Sequence, residues 1–450
     1  MNDLMLSVSG LRGIVGTSLT SEIIAKYVSA FAHFAGHGKI VIGRDSRTSG
    51  EFISRICTGA LQAMGVEVID LGIVPTPTVQ MLTEMHGADG GMVITASHNP
   101  AQWNGLKFVA ANGMFLPPDK AEQLFSIARE GSYQGVPFDR LGNVLPEQGA
   151  IDMHIRKIMQ LEFVNKEGLQ KRKFKVVIDT VNGAGGLIMP KLLEEMGCEL
   201  IVLNGEANGL FAHNPEPLAE HLSELSKSVR EHGADLGIAT DPDVDRCALI
   251  DEQGNAIGEE LTLAIATKFM LARQMGHVVT NLSTSRMIDD LARYYNCPIH
   301  RTPVGEIHVA AKMREVNAVI GGEGNGGVIL PQLHLGRDAP VAAAIVLQAL
   351  LEFGQPMSEL CRQLPKYAIS KHKVDTSGLA TEKIYAALEK HYSDAEVSKL
   401  DGVKFDFDEH WLHLRKSNTE PVVRIIAEAR SADAADKHCF EVAEIIRGLH

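Results

Sequence analysis

At 450 residues the chain exceeds what one hydrophobic core organises, and its length predicts about three domains. With 45% hydrophobic and 22% charged residues, the composition is that of a folded globular protein and excludes a disordered or fibrous one. A formal net charge of -13 repels a polyphosphate backbone, so no nucleic acid partner is expected, although a few converging cations can still hold a small phosphate. The six cysteines, Cys57, Cys198, Cys247, Cys297, Cys361 and Cys439, contain no CxxC pair and read as reduced thiols, not a disulfide frame or a zinc site. The opening MNDLMLSVSG lacks the basic start and apolar core of a secretion signal. The longest apolar run, VAAAIVLQALLEF from Val341, is short for a membrane span and reads as a buried helix. The expected compartment is the cytoplasm, without membrane association; the sequence leaves the oligomeric state open.

In chain order, one grammar occurs three times. KIVIGRDSRTSG is an apolar run that empties into polar residues; a helical pattern follows, then MGVEVIDLG, then ADGGMVITASHNP. FKVVIDTVNGAGG leads in the same way to MGCELIVLNG and ADLGIATDPDVDR, and HVVTNLSTSRM leads to YNCPIHRTPVG and VNAVIGGEGNGG. Short β-branched runs alternating with helical patterns predict α/β sheets. Ligands of such sheets gather at the loops beyond the strand ends, and the third strand of each unit delivers the richest loop. After residue 366 the pattern changes to a smaller α+β unit whose strands are interrupted by RKSNTEP. The predicted layout is three similar α/β domains with mixed sheets around a central cleft (1–150, 151–253 and 254–366) and a C-terminal α+β domain (367–450).

DPDVDR places Asp241, Asp243 and Asp245 at alternate positions. Clustered carboxylates repel one another unless a cation or protons intervene, and a hard divalent metal is the economical partner. A calcium loop is excluded, because it needs glycine where Arg246 stands and the following CALI reads as a strand, even though Glu252 falls at the closing position. Alternating aspartates also occur in haloacid-dehalogenase phosphotransferases, where the first carboxylate is the nucleophile, so a sugar phosphatase stays open on this motif alone.

Ser97, in TASHNP, lacks the GxSxG flanks of a hydrolase nucleophile. A phosphoserine there would carry roughly -1.5 to -2 charges, and its oxygens could complete the coordination of a metal held by the aspartates. Lys107 suits a phosphoryl or proton-transfer role. RKSNTEP crowds Arg415, Lys416, Ser417, Asn418 and Thr419 into one turn, a donor density that fits a phosphate cradle. Arg12, Arg44, Arg47 and Arg246 are further cations near strand ends. In GEGNGG, Glu323 accepts and Asn325 both donates and accepts, which fits sugar hydroxyls better than phosphate. HFAGH spaces His33 and His37 by four but lacks the glutamate of a zincin, and VNGAGG lacks the full dinucleotide-binding fingerprint.

Combined and in this order, SGLRGIVG, TASHNPAQWNGLKF, DPDVDR, GEGNGGVILP and RKSNTEP resemble the α-D-phosphohexomutase superfamily over nearly the whole chain. In detail they are similar to its phosphoglucosamine mutase branch from archaea and some bacteria. The resemblance implies three similar α/β domains and a fourth like the TATA-box-binding protein. It implies that Ser97 carries the phosphoryl group and joins Asp241, Asp243 and Asp245 around Mg2+, and that Arg12, Lys107 and Arg246 lie near the transferring group. Glu323 and Asn325 then recognise the sugar, while Arg415, Ser417, Asn418 and Thr419 grip the non-reacting phosphate. The implied reaction interconverts hexose 6-phosphate and 1-phosphate, foremost glucosamine phosphate, through a bisphosphorylated sugar that reorients between two transfers; a mannose or glucose phosphate is the alternative substrate. Three positions depart from the pattern. Some relatives have GEMSGH or GEQSGH for GEGNGG, mannose/glucose-type members often have histidine at the position of Glu306, and many bacterial phosphoglucosamine mutases have glycine at that of Asn418. Neither His98 nor His308 receives a role.

Overall fold

The structure is a computed structural model that describes residues 4–7, 10–376, 378–416 and 422–449. Its strands form four sheets. The first runs, edge to edge, Met5–Ser7, Gly10–Ile14, Trp103–Ala110, Gly90–Ile94, Lys39–Arg44, Glu67–Ile73 and Val144–Pro146. The second has the order Cys247–Ile250, Leu236–Thr240, Lys175–Asp179, Glu199–Leu203, and the third Ile299–Thr302, Val278–Asn281, Ile320–Glu323, Gly327–Ile329.

All three are mixed in the same way. The β-branched strands Lys39–Arg44, Lys175–Asp179 and Val278–Asn281 each pair in parallel with two neighbours, and one of those neighbours turns back through a short loop into an antiparallel strand. Those three return loops hold TASHNP, DPDVDR and GEGN. The repeated grammar thus places one chemistry-bearing loop at the same topological point of every unit, at the carboxyl ends of the parallel strands.

The fourth sheet is wholly antiparallel, in the order Ala368–Asp375, Val422–Ala429, Trp411–Lys416, Val403–Asp406, Glu396–Ser398, with the helices Thr381–His391 and Ala432–Arg447 beside it. It has its own core, around Val374, Leu388, Phe405, Leu412, Ile425 and Val442.

The first three units are fused. One apolar cluster joins Ile178 and Leu236 of the second sheet to Val278 and Ile320 of the third, and another joins Val41 and Val93 of the first to Val279 and Ile329 of the third. At the centre lies the helix Ala339–Phe353, buried from Ala339 to Leu350, as a run apolar except for Gln348 demands. Its N-cap is Asp338, whose side chain accepts the Val341 N–H. Among the described residues, no helix is long and apolar enough to cross a membrane.

Candidate active site

The serine loop leaves Ile94 under tight control. Ser97 is 2% exposed and left-handed (φ 51°), a conformation that costs a non-glycine residue roughly 1–2 kcal/mol. Arg47 holds it there: the fully packed guanidinium donates to the carbonyls of Ser97 (2.5 Å), Asn99 (2.7 Å), Pro100 (2.9 Å) and Trp103 (2.9 Å). Asp45 balances its charge at 3.1 Å and accepts the Thr95 hydroxyl, while Thr95 Oγ1 accepts the Ser97 N–H. Arg47 is therefore a brace for the loop's backbone and not a phosphate ligand. Ser97 Oγ emerges 3.1 Å from Asp241 Oδ2 and 3.2 Å from His98 Nδ1. Burial, then the charges of Arg246 and Arg12, push the His98 imidazole down to about 2, so it is neutral. Arg12 donates to Asn99 Oδ1 at 3.1 Å.

The aspartates converge on this oxygen. Asp241, Asp243 and Asp245 are all fully buried, with ligand atoms within 4.8 Å of one another. Left-handed Val244 (φ 64°) turns the loop, and Asp241 Oδ1 accepts the N–H groups of Asp245 and Arg246. Lys107 reaches back along Trp103–Ala110 to lie 2.7 Å from Asp243 Oδ2 and 3.6 Å from Asp245 Oδ2. Thr76 donates to Asp243 Oδ2 at 2.7 Å. Arg246 Nε stands 3.9 Å from both Asp241 and Asp245, with Nη1 3.1 Å from Glu216.

These cations do not neutralise the cluster evenly. Burial would raise the Asp243 carboxyl, but the charge of Lys107 and the hydrogen bonds from Lys107 and Thr76 hold it below its ordinary range. Asp241 is raised well above its ordinary value, by burial first and then by the charges of Asp245 and Asp243. Among the described residues, Asp243 Oδ1 and Asp245 Oδ1 are buried without a hydrogen-bond partner. Buried carboxylate oxygens with nothing to accept, beside a like-charged neighbour, form a hard-oxygen donor set that fits a divalent cation such as Mg2+. The rejected calcium-loop position behaves accordingly: Glu252 turns away and accepts the Ser358 N–H at 3.1 Å.

The third loop lies beside the aspartate loop. Glu323 accepts from Asn281 Nδ2 (2.7 Å) and the Gly305 N–H (2.9 Å), and from Arg337 Nη1 (2.7 Å). Gly326 (φ 85°) lets the loop lie against the end of the aspartate loop: its carbonyl accepts the Cys247 N–H, and a Cβ there would stand 2.6 Å from the Cys247 carbonyl oxygen. Arg337 also contacts Asp245 (2.5 Å) and Glu306 (3.1 Å), and Glu306 accepts from Gln80 at 2.9 Å.

From the fourth unit, Arg415 enters the cleft. It lies directly across the sheet from Arg424, and Arg424 across from Lys373. Like charges directly opposite one another destabilise a sheet, so this row fits an anion bound over it. Asp401 forms an ion pair with Arg415 Nε at 2.9 Å. Ser417, Asn418 and Thr419 lie outside the described residues. Arg12, Lys107, Arg246, Glu323, Asn325 and Arg415 all line one cleft of about 620 Å³, and Ser97 and the aspartates stand behind Lys107 and Arg246. Sequence reading gave no role to Glu216, Glu306, Arg337, Lys373 and Arg424, which also line it, nor to Thr76. Of these, only Arg424 had a usable signal, since it falls nine residues after Arg415 in the chain. His33 and His37 bond to each other, and His37 also to the Met64 carbonyl.

Comparison with known proteins agrees with this geometry. Residues 4–134, 152–254 and 258–367 match phosphoglucomutase/phosphomannomutase α/β/α domains I, II and III, and residues 373–445 match the C-terminal domain of the same family. The chain belongs to this family. It is a phosphohexomutase of the phosphoglucosamine mutase-like kind. It is 35% identical to a probable phosphoglucosamine mutase of Methanopyrus kandleri over 98% of this chain and 97% of that one. A phosphoglucomutase/phosphomannomutase of Thermococcus kodakarensis is 37% identical over 95% of each chain. A phosphoglucosamine/phosphogalactosamine mutase of Sulfurisphaera tokodaii is 34% identical over 99% of each. The crystal structure of a family member from Burkholderia thailandensis, 25% identical, superposes with a TM-score of 0.86 over 99% of this phosphohexomutase and 98% of that chain.

Proposed function

We propose that this phosphohexomutase interconverts hexose 6-phosphate and 1-phosphate in the cytoplasm, that Ser97 carries the phosphoryl group, that Mg2+ is its cofactor, and that glucosamine phosphate is its preferred substrate. The observation that carries this reading is the meeting of Ser97 Oγ, three buried aspartates and Lys107, which lines the same cleft as the row Arg415, Arg424 and Lys373.

One transfer breaks the bond between phosphorus and Ser97 Oγ and forms one to a sugar hydroxyl, whose proton ends on the freed Ser97 Oγ; the return transfer reverses that exchange. The bisphosphorylated sugar turns, and its other phosphate returns to Ser97. Such chemistry is mostly positioning and charge neutralisation. Arg47 fixes the backbone that presents Ser97; Lys107 and Arg246 face the transferring group; Arg12 guards the loop through Asn99. Mg2+, when bound by Asp241, Asp243, Asp245 and a phosphoryl oxygen, supplies further neutralisation there. Glu323 and Asn325 meet the sugar hydroxyls. Arg415, with Ser417, Asn418 and Thr419, holds whichever phosphate is not reacting, which lets one site accept both ends of the sugar.

The names of most similar relatives favour glucosamine phosphate, whereas the relative of highest identity among those compared favours glucose and mannose phosphates. Side-by-side kinetics on the three sugars, with a hexose bisphosphate activator, decide between them; comparable rates on all three overturn the preference. Intact-mass and peptide analysis of the active enzyme is expected to find one phosphoryl group on Ser97, and Ser97→Ala is expected to abolish turnover. A phosphoryl group trapped on Asp241 or Asp243, with net phosphate release, overturns the mutase mechanism.

A further inference from the structure

Arg337 is a single residue whose three guanidinium nitrogens are divided among three acids. Nε donates to Glu306 Oε2 at 3.1 Å, Nη1 to Glu323 Oε2 at 2.7 Å and Nη2 to Asp245 Oδ2 at 2.5 Å. The three acids come from different elements. Asp245 belongs to the return loop of the second sheet, Glu306 opens the helix Glu306–Val316, and Glu323 ends the strand Ile320–Glu323. The arginine is 8% exposed.

Its backbone is held just as firmly. The next residue, Asp338, caps the central helix through Oδ1 and meets His154 Nε2 (2.8 Å) and His334 Nε2 (2.9 Å) through Oδ2; His154 Nδ1 in turn contacts Thr78 Oγ1 at 2.9 Å. Glu306 is tied to the first unit by Gln80. Arg337 is thus clamped from behind, and its planar, rigid fork gives little independent freedom to the three acids in front.

We propose that Arg337 is a positioning residue that couples the aspartate cluster to the sugar-facing Glu323. The proposal rests on the reading of Asp245 as a metal ligand and Glu323 as a sugar contact. Were Asp241, Asp243 and Asp245 to hold a cation, Arg337 would be repelled by it and its hold on Asp245 weakened. The same fork then bears more strongly on Glu323 and Glu306, which stiffens the acceptor that the sugar meets. Cluster occupancy and sugar affinity become linked, and by reciprocity each alters the other by the same factor.

The test measures that factor without turnover. Binding of glucosamine 6-phosphate and of glucose 6-phosphate to the full chain carrying Ser97→Ala is followed by calorimetry, in Mg2+ and in chelator, with Arg337 intact and with Arg337→Met. With Arg337 intact, Mg2+ is expected to tighten sugar phosphate binding at least about fivefold, and in Arg337→Met by less than about twofold. An equal factor in both proteins overturns the coupling. So does the lack of any factor with Arg337 intact, and Mg2+-induced melting shifts then tell whether the metal site itself has failed. A wrong sugar assignment shows instead as tighter glucose 6-phosphate binding with the factor preserved.

Should Arg337→Met fail to fold, Arg337→Lys keeps a charge but offers no fork. It is expected to fold and to lose the coupling, and full coupling with lysine overturns the proposal. Adding Glu306→Gln to Arg337→Met removes one unneutralised acid. It is expected to recover melting temperature but not coupling, which separates positioning from a merely structural role; recovery of both overturns the proposal.

Discussion

Ser97 Oγ lies 3.1 Å from Asp241 Oδ2 across 144 residues of sequence, and Asp241 is the acid of the cluster that burial and its neighbours disfavour most as an anion. The strain on Asp241 and the placing of Ser97 are two sides of one arrangement: charge is concentrated where a cation and a phosphoryl group would be held.

Asp241→Asn should therefore improve the protein's stability while harming its function. Asparagine keeps the acceptor for the Asp245 and Arg246 N–H groups and relieves the repulsion from Asp243 and Asp245. In chelator, the melting temperature is expected to rise by about 2 °C or more. In Mg2+, the shift seen with the unaltered protein is expected to be lost, along with activity. A lower melting temperature in chelator would show that the cluster is not strained.

Arg47→Lys tests the brace on the serine loop. A lysine ammonium cannot serve four carbonyls spread over Ser97, Asn99, Pro100 and Trp103, so buried acceptors and Asp45 lose their partner. The expected cost is about 3 kcal/mol, read in thermal or urea unfolding, with loss of Ser97 phosphorylation by mass. Unchanged phosphorylation would mean that Ser97 keeps its left-handed turn unaided.

Glu260 supplies a pH dependence outside the aspartate cluster. Burial chiefly pushes its carboxyl from the ordinary 4.5 up to about 8, against the opposing hydrogen bond from the Ser285 N–H. Because the folded value is raised, the stability contributed by the protonated form is complete below about 4.5 and is lost as pH rises through about 8. Glu260→Gln removes this loss, so its melting temperature should gain on the unaltered protein between about pH 5 and about pH 9. A constant difference across that range contradicts the assignment.

Asp401 links the fourth unit to the third, pairing with Arg415 at 2.9 Å and accepting the Val304 N–H at 3.0 Å. Asp401→Ala frees both. If Arg415 anchors the non-reacting phosphate, as proposed, KM for the sugar phosphate is expected to rise about two- to fivefold, with kcat changed less than about twofold. An equal fall in kcat would place Arg415 in the transfer step itself.

Much of this was legible in the chain itself. Three strand patterns ending in TASHNP, DPDVDR and GEGNGG determined that three α/β units would deliver polar loops, because β-branched runs form strands and small polar residues end them. The spacing of Asp241, Asp243 and Asp245 determined a local excess of negative charge whatever the fold. What only the tertiary structure decided is which charges answer one another. Arg47 looked like any loop arginine until the fold wrapped the serine loop around it, and Arg337, in HLGRDAP, had no signal at all before Asp245, Glu306 and Glu323 closed on its three nitrogens. Periodicity is a property of neighbours along the chain and survives in the sequence. The pairing of a buried cation with acids on other elements depends on distance and desolvation in the folded core, which no local pattern records.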